Sequence, residues 1–464
     1  MINMDKLECI SPIDGRYKRI SDILGQYFSE MTLSKYRTIA EIKYFIFLSK
    51  QNLGLRALTN DELKELRALE ELSLQDAQII KDIEVKGYKN IKATNHDVKA
   101  VEYYLKDKLE NSSLKKELEW IHFALTSEDI NNIAYGLMVS LSVKKVIIPE
   151  IETIYNTLNG LAEKYANTAI LARTHGQPAS PTTFGKEFKV FAERIKKQLA
   201  QLKAHKLLIK LNGATGNYNA NISAYPNFDW LSFSQKFTEH LNKTFDLNLQ
   251  TNLITTQIEP HDSLIELFDI LRRINLILIN FSQDIWRYIS DDFIKQKPVE
   301  GEVGSSTMPH KVNPIDFENA EGNLGLANSL FSFFSNKLPI SRLQRDLSDS
   351  TVLRNIGSSF AYCLIAYKSI QKGLTKIEIN ETKVSEILDS HWEIISEAIQ
   401  TILKREHIET PYELLKELTR GKKINQNEFI EFIDKLDVTN EVKEELKKLS
   451  PNTYIGLADK ISKL

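Results

Sequence analysis

Residues 264–289 read LIELFDILRRINLILINFSQDIWRYI, and this stretch decides the fold class. At helical spacing its Leu, Ile and Phe side chains fall on nearly every side of a helix, interrupted by charged residues such as Arg272, Arg273 and Asp284. A helix that is apolar all round must be surrounded by other helices, of its own chain or of other subunits. We therefore expect a bundle of very long helices, and we expect the chain to self-associate.

The positions of proline extend this bundle along the chain, because a proline inside a helix costs about 3 kcal/mol. Long windows without proline cover residues 13–148, 182–225, 261–297 and 340–410. Within them apolar residues recur at helical spacing, for example at Phe188, Phe191 and Ile195. The sequence therefore predicts an all-α fold. Its expected parts are an N-terminal helical domain at residues 1–115, a central long-helix bundle at 116–374 and a C-terminal helical domain at 375–464.

The composition argues against several classes of protein. There are 60 Lys and Arg against 62 Asp and Glu, a net charge of −2, which argues against a protein that coats nucleic acid. The two cysteines, Cys9 and Cys363, are far apart, so neither a disulfide framework nor a zinc knuckle is expected. The N-terminus lacks the pattern of an export signal, and no stretch has the pattern of a membrane span. We expect a cytoplasmic protein without a nucleic-acid or membrane partner.

Several familiar catalytic motifs are missing from the sequence. It contains no GxxxxGK[ST] phosphate loop, no GxGxxG after a strand, no GxSxG elbow and no HExxH zinc motif. Hydrolysis by a P-loop, Rossmann redox chemistry, serine esterase chemistry and zinc hydrolysis are therefore disfavoured.

The most unusual polar segment is GEVGSSTMPHKVNP at residues 301–314. Its Gly, Ser and Pro residues cannot continue a helix, so we expect a loop between two long helices. Such a loop is usually a plain connector. Here, however, consecutive small residues expose backbone N–H groups that can form an anion nest, and Lys311 and Asn313 follow to hold a carboxylate. A serine hydroxyl in that setting is more readily deprotonated.

A second polar segment, RTHGQPASPTT at residues 173–183, contains His175. Histidine is the side chain best suited to proton transfer near neutral pH. A histidine beside a glycine is nevertheless more often an ordinary turn residue, so the segment alone does not decide between these interpretations.

Three further polar segments can be helix starts: TNHD at 94–97, LTSEDINN at 125–132 and RDLSDSTVLR at 345–354. The spacing of Thr126 and Asp129 fits a simple capping box. A helix N-terminus also offers unpaired N–H donors to a phosphate or carboxylate, so capping and binding are compatible. Ser350 and Arg354 lie four residues apart and therefore share a helical face, where they could hold an anion together, although solvated surface is the ordinary interpretation.

The pattern GSSxMPxKxN at residues 304–313 resembles the hallmark loop of the fumarase/aspartase superfamily, whose members eliminate fumarate from a succinyl compound. Within that superfamily the chain is similar to the adenylosuccinate lyase family of the long bacterial type. The similarity extends to SPIDGRY at 11–17, TNHD at 94–97, TSEDINN at 126–132, THGQPA at 174–179, NPIDFEN at 313–319, QRD at 344–346 and DSTVLR at 349–354. Other branches typically carry Leu at the position of Gly176.

The resemblance implies a fumarase/aspartase-like all-α fold and a C–N lyase of purine biosynthesis. The implied reactions cleave adenylosuccinate to AMP and fumarate, and the succinylated aminoimidazole carboxamide ribotide (SAICAR) to its amide (AICAR) and fumarate. A homotetramer with active sites shared between subunits is also implied, as are the absence of any cofactor and the absence of a metal.

The resemblance further assigns roles to individual residues. Ser305 is the implied general base and His175 the implied general acid, while Lys311 and Asn313 face the carbanion and His310 either tunes Ser305 or stabilises the loop. The residues expected to hold the succinyl carboxylates are Thr126, Ser127 and Gln257. The residues expected to contact the nucleotide, several of them at its 5′-phosphate, are Arg16, Tyr17, Asn95, His96, Asp97, Asn319, Arg345, Ser350 and Arg354. Ser306, Val312 and Thr351 complete the expected substrate-binding set.

Two alternatives stay open at this point. A related fumarate-releasing lyase would act on malate, aspartate or argininosuccinate, which lack a nucleotide phosphate for Arg345 and Arg354. A helical scaffold without catalysis is the other alternative, although Ser305, Lys311 and His175 argue against it.

Overall fold

A computed structural model of the chain describes residues 7–297, 308, 311–419 and 424–464. Most of these residues are helical. In the first part of the chain the helices are α1 (Lys18–Ser21), α2 (Gly25–Phe28), α3 (Glu30–Leu48), α4 (Asn60–Ala68), α5 (Leu74–Val85), α6 (Asp97–Leu109), α7 (Ser127–Ser142), α8 (Ile148–Lys164), α9 (Phe184–Ala204), α10 (Asn219–Ala224) and α11 (Trp230–Phe245). They continue with α12 (Asp262–Ser290), α13 (Ile315–Lys337), α14 (Ser348–Leu353), α15 (Ile356–Lys376), α16 (Glu381–Asp389), α17 (Ser396–Arg405), α18 (Pro411–Thr419), α19 (Gln426–Asp434), α20 (Asn440–Lys447) and α21 (Ala458–Ile461).

Short strands form two-stranded sheets between the helices. The antiparallel pairs are β1 (Ala169–Thr174) with β2 (Gln177–Thr183), and β5 (Ile294–Gln296) with β6 (Ile377–Ile379), and the parallel pair is β3 (Leu208–Ile209) with β4 (Gln250–Thr251). The all-α prediction is confirmed, and helix α12 covers the whole of the stretch 264–289. Over the described ranges, no helix is both long and apolar enough to cross a membrane.

The chain forms two compact units. The first comprises the described residues up to Glu150, together with Gln198–Leu276 and Asn323–Lys368, and the second comprises the described parts of Ile151–Lys197, Ile277–Gly322 and Ser369–Leu464. The division into segments 1–115, 116–374 and 375–464 stays a prediction.

Helix α3 lies at the centre of the first unit. Its Tyr44 ring meets Phe233 and Phe237 of α11 edge-on, with ring centroids 5.9 and 6.0 Å apart. Such aromatic pairs contribute about 0.5–1.5 kcal/mol each beyond their burial. The Tyr44 hydroxyl donates a hydrogen bond of 2.9 Å to the carbonyl of Phe123, which lies just before α7. The aromatic core therefore fixes the chain where α7 begins.

The long helices of the first unit share a buried polar contact. Asn275 of α12 is fully buried, and its side chain accepts a bond of 2.8 Å from the Tyr367 hydroxyl and donates one of 3.0 Å to Asn328. Since a buried amide must be hydrogen-bonded, this contact sets the register of α12, α13 and α15. Other apolar side chains on these helices stay exposed in the single chain, including Leu276 at 54% and Phe333 at 52%.

A completely buried ion pair joins three segments of the first unit. The Lys210 ammonium lies 3.1 Å from Asp129 Oδ1, and both side chains are 0% exposed. Lys210 also donates to the carbonyls of Gly213 and Gln257, at 2.8 and 2.6 Å, so its three N–H donors all have acceptors. Asp129 in turn accepts the backbone N–H of Thr126 at 2.9 Å. The pair ties the start of α7 to the segments around residues 213 and 257.

The second unit has its own apolar core, centred on α17 and α19. Trp392 contacts Phe429 with ring centroids 5.3 Å apart, and Ile399 and Leu403 are buried in the same cluster. Leu171 of β1 belongs to this cluster, so the core anchors the β1–β2 hairpin.

Replacing Lys210 with methionine should strongly destabilise the fold, because Asp129 would be left as an uncompensated buried charge. The expected loss is about 3–5 kcal/mol in the free energy of unfolding, measured by urea denaturation. Lys64→Met is the control, since Lys64 and its partner Asp61 are 77% and 93% exposed, and it should change stability by less than about 0.5 kcal/mol. Equal effects of both variants would contradict the role of the buried pair.

A second ion pair predicts a pH dependence of stability. The His122 ring lies 2.5 Å from the buried Glu41 carboxylate; burial acts to lower the pKa of His122, but Glu41 outweighs it and the pKa is raised above 6.5. The folded state therefore binds this proton more tightly, so the stabilisation is complete below about pH 6.5 and is lost as pH rises through the raised pKa.

Glu41→Gln should remove this component of the pH dependence between about pH 6 and pH 9, measured by urea midpoints. Glu62→Gln is the matched control, because Glu62 is also buried but pairs with Arg56, which does not titrate in this range. Its midpoint should shift by the same amount at each pH. A Glu41→Gln variant with unchanged pH dependence would show that the pair does not act in this way.

Candidate active site

The start of α7 carries two of the predicted binding residues. Thr126 caps the helix, with its backbone N–H bonded to Asp129, and Ser127 is the first helical residue. The Ser127 hydroxyl lies 3.3 Å from Nε2 of His96, the residue just before α6. The structure thus brings the TNHD and TSEDINN segments together at the N-termini of two helices, where partial positive charge favours an anion.

Arginine and carboxylate side chains meet next to this point. The Asp97 carboxylate contacts Arg37 of α3 at 2.7 Å and Arg354 at 2.8 Å, and Arg354 also contacts Glu30 at 2.8 Å. Burial acts to raise the pKa of Asp97, but the two guanidinium groups outweigh it and hold the pKa below its usual value. Two guanidinium groups therefore meet two carboxylates, so a further anion could bind Arg354 by replacing one of its carboxylate partners.

Arg345 and Gln257 form a second polar group of the first unit. Nη1 of Arg345 lies 3.3 Å from Oε1 of Gln257 and 2.9 Å from Oε2 of Glu128, the residue that follows Ser127. The Gln257 side chain also donates a bond of 3.0 Å to the Ala214 carbonyl. The prediction that Arg345, Gln257 and Ser127 act at one site is therefore consistent with this placement.

The other predicted nucleotide contacts of the first unit lie at three places along the chain. The Arg16 guanidinium lies 5.8 Å from the Tyr17 ring centre. Asn95 has a positive φ of 49°, a conformation that asparagine adopts more readily than most residues. Ser350 and Thr351 lie in the short helix α14.

His175 lies in the second unit, at the tip of the β1–β2 hairpin. Thr174 pairs with Gln177, so His175 and Gly176 are the two turn residues, and both have positive φ, of 53° and 77°. This is the conformation of a type I′ turn, which explains the glycine. The His175 side chain is exposed, as a group that exchanges protons with a substrate requires.

The hairpin is tied to α17 below its tip. The carboxylate of Glu397 accepts hydrogen bonds from the hydroxyls of Ser180 in β2 and, at 2.9 Å, of Tyr454. Burial and the nearby Glu397 raise the pKa of Tyr454 to about 12, so this donor keeps its proton at physiological pH. These hydrogen bonds link the strand that follows the His175 turn to α17 and to Tyr454.

The predicted Gly/Ser loop falls largely outside the described residues. Ser305, Ser306 and His310 are among those that the structure does not describe. Of the following residues, Lys311 is exposed, and the backbone carbonyl of Val312 accepts a hydrogen bond of 2.8 Å from the side-chain amide of Gln296. Asn313 precedes α13, and Asn319 within α13 donates to the Ser369 hydroxyl at 2.9 Å.

Five further charged or histidine side chains, which are not among the predicted site residues, take part in these contacts. These are Glu30, Arg37, Glu128, His261 and Asp349. Glu128 and Asp349 lie inside the polar segments 125–132 and 345–354, so the sequence allows an ion pair with Arg345 to be predicted. Glu30 and Arg37 lie in α3 without a local motif, and only their contacts with Arg354 and Asp97 reveal them. Within the part of the chain that the structure describes, no group of three or more His, Cys, Asp or Glu side chains could hold a metal ion.

Comparison with known proteins shows the family of the chain. A family model described as "Lyase" matches residues 15–327, and one described as "Adenylosuccinate lyase C-terminal" matches residues 341–455. The adenylosuccinate lyase of Haemophilus influenzae is 48% identical over 463 residues, covering 98% of each chain. That of Legionella pneumophila (strain Corby) is 50% identical over 466 residues, covering 100% of this chain and 99% of the relative.

Among solved structures, a fumarate lyase from Mesorhizobium sp. BNC1 has a TM-score of 0.72 at 16% identity, covering 95% of this chain and 96% of that structure. At this identity the likeness concerns the fold alone. Because family models match most of the sequence and full-length relatives are about half identical, the chain belongs to the adenylosuccinate lyase family of carbon–nitrogen lyases, within the fumarase/aspartase superfamily.

Proposed function

We propose that the chain cleaves adenylosuccinate into AMP and fumarate. The observation that carries the proposal is the identity of about one half, over the full length, to relatives named adenylosuccinate lyase. The intact motifs with Ser305, Lys311 and His175 support it further. The same chemistry applies to SAICAR, which has the same succinylamino group, so we include its cleavage to AICAR and fumarate in the proposal.

The nucleotide 5′-phosphate binds near Arg354 in this proposal. Arg354 is 35% exposed and contacts Glu30, which is 58% exposed. An ion pair this accessible is worth only about 0–1 kcal/mol, so a phosphate with two negative charges can displace Glu30. The buried contact between Asp97 and Arg37 then holds the neighbouring side chains in place. The other proposed nucleotide contacts are Arg16, Tyr17, Asn95, His96, Asn319, Ser350 and Thr351.

The succinyl carboxylates bind at the start of α7, to Thr126, Ser127 and Gln257. Helix N–H groups and side-chain hydroxyls can bind a carboxylate although they carry no full positive charge. Arg345, which is a further proposed nucleotide contact, lies next to Gln257 and adds positive charge beside these carboxylates.

The reaction is a β-elimination in which Ser305 removes the proton next to one carboxylate and a carbanion forms. The negative charge spreads into that carboxylate, and Lys311, Asn313 and backbone N–H groups of the loop stabilise it. Ser306 and Val312 contact the substrate from the same loop. The C–N bond then breaks, a C=C bond forms, and His175 protonates the departing nitrogen. The residues of this chain are sufficient for each step, without a cofactor.

A cytoplasmic homotetramer with sites shared between subunits completes the proposal. Its support is the pattern of exposed apolar side chains on the long helices, including Leu276, Leu326 and Phe333, each about half exposed in the single chain. Side chains of this size cluster on a surface mainly where another subunit covers it.

Removing either proton-transfer group should slow turnover of adenylosuccinate by at least about 10²-fold, with KM changed less. The variants are Ser305→Ala and His175→Asn; asparagine suits the positive φ at position 175. The assay is the change in adenylosuccinate absorbance with no added cofactor.

Matched controls are Ser223→Ala, an exposed serine whose hydroxyl donates to the Asn219 carbonyl in its own helix, and His407→Asn, an exposed histidine with φ of 58°. Both should be active at the wild-type rate. Near-normal turnover in Ser305→Ala or His175→Asn would remove the proposed role of that residue.

Arg354→Met should lower kcat/KM for adenylosuccinate by about 10- to 100-fold, because a charge-assisted bond to the phosphate is lost. Arg405→Met is the control, since Arg405 pairs with Glu445 on the surface of the second unit and should be replaceable without effect. Wild-type protein should also prefer adenylosuccinate strongly over aspartate. Comparable kcat/KM for the two compounds would favour a different fumarate-releasing lyase.

A further inference from the structure

A small cluster of buried charged groups lies behind Arg345 in the first unit. Glu128 contacts Arg345 Nη1 at 2.9 Å, and Asp349 Oδ1 lies 3.9 Å from Nη2. The ring of His261 lies 3.7 Å from the other oxygen of Asp349. The side chains of Glu128, Asp349 and His261 are 3%, 7% and 7% exposed, so this cluster is almost free of solvent.

This cluster is more costly than an ordinary core. Burial raises the pKa of Glu128 even though Arg345 acts against it, and Glu128 Oε1 has no hydrogen-bond partner within the described structure. Asp349 Oδ2 and His261 Nε2 face each other at 3.7 Å, which is beyond hydrogen-bond distance. Buried polar atoms without a hydrogen bond destabilise a protein. Apolar side chains of similar size would stabilise the fold at least as well. A requirement other than stability therefore has to account for these residues.

The cluster joins three of the segments that present proposed substrate contacts. Glu128 follows Ser127 in α7, Asp349 precedes Ser350 in α14, and His261 lies between Gln257 and α12. Glu128 and Asp349 contact Arg345 directly, and His261 contacts Asp349.

Local hydrogen bonds also constrain His261 and Asp349. His261 has a positive φ of 66°, and its backbone N–H donates to the buried Glu259 carboxylate at 2.8 Å. Asp349 Oδ1 accepts the backbone N–H of Ser350 at 2.7 Å. A non-glycine residue at such a φ is held there by its surroundings, so the His261 ring has little freedom to move.

We propose that Glu128 and His261 are positioning residues for the lyase reaction: Glu128 orients the Arg345 guanidinium directly, and His261 does so through Asp349. The inference rests on the proposed function, since it assumes that Arg345 and Gln257 bind the substrate. Glu128 and Gln257 both meet Nη1, which fixes the plane of the guanidinium and its distance from Gln257. Preorganised contacts of this kind lower the cost of ordering side chains when a substrate binds.

The test measures steady-state kinetics of the full-length protein with adenylosuccinate. Glu128→Ala should raise KM at least 10-fold and His261→Gln about 3- to 10-fold, with kcat within about 3-fold of wild type. Glu128→Gln keeps a hydrogen-bond acceptor for Arg345 and should recover most of the loss. Glu62→Ala is the matched control: Glu62 is equally buried and paired with Arg56, but it should lose stability without any change in KM.

A double-mutant cycle separates positioning from general destabilisation. In an Arg345→Met background the group held by the cluster is gone, so Glu128→Ala and His261→Gln should each change KM by less than 2-fold. Equal effects in both backgrounds, or an unchanged KM in Glu128→Ala, would overturn the inference. If Glu128→Ala does not fold, the same cycle is measured with Glu128→Gln, whose smaller effect must also vanish without Arg345. Wild-type protein inactive on adenylosuccinate would instead overturn the proposed function.

Discussion

A buried ion pair between Lys210 and Asp129 constrains the part of the first unit that carries Thr126 and Gln257. Taking both charges out of water is expensive, and the cost is offset only because each lone pair and N–H group finds a partner. Those partners are backbone groups at Thr126, Gly213 and Gln257. The interaction that satisfies the buried charges therefore also sets the distance between the start of α7 and the segment that carries Gln257.

Two other ion pairs of the first unit differ in their exposure to solvent. Arg354 and Glu30 are accessible, so they can exchange partners with a ligand. Arg345 and Glu128 lie deeper, and the low local dielectric makes their mutual orientation more rigid. In the proposed site the two arginines have different parts: Arg354 is accessible enough to exchange its carboxylate partner for phosphate, and Arg345, which is 17% exposed, is already held by Glu128 and Gln257.

Sequence patterns predicted some of these features well and others only in part. The all-round apolar stretch 264–289 predicted a long buried helix because periodicity is a local property, and α12 extends just beyond it. The THGQ segment was assigned a proton-transfer role, but nothing local predicted that His175 and Gly176 form a type I′ turn; that depends on the register of β1 and β2. Glu30 and Arg37 gave no signal, since their partners lie far away in the sequence.

Residue order alone predicts the helical class, the family resemblance and the polar segments from which a site could be built. These properties depend on the order of residues within short stretches, where spacing and side-chain type act directly. The packing of the chain is needed to show that Asp97 is shared by Arg37 and Arg354, and that Arg345 lies among Glu128, Gln257 and Asp349. Ion pairs between distant residues depend on how helices pack, and packing is set by the whole buried surface of the unit, not by any one motif.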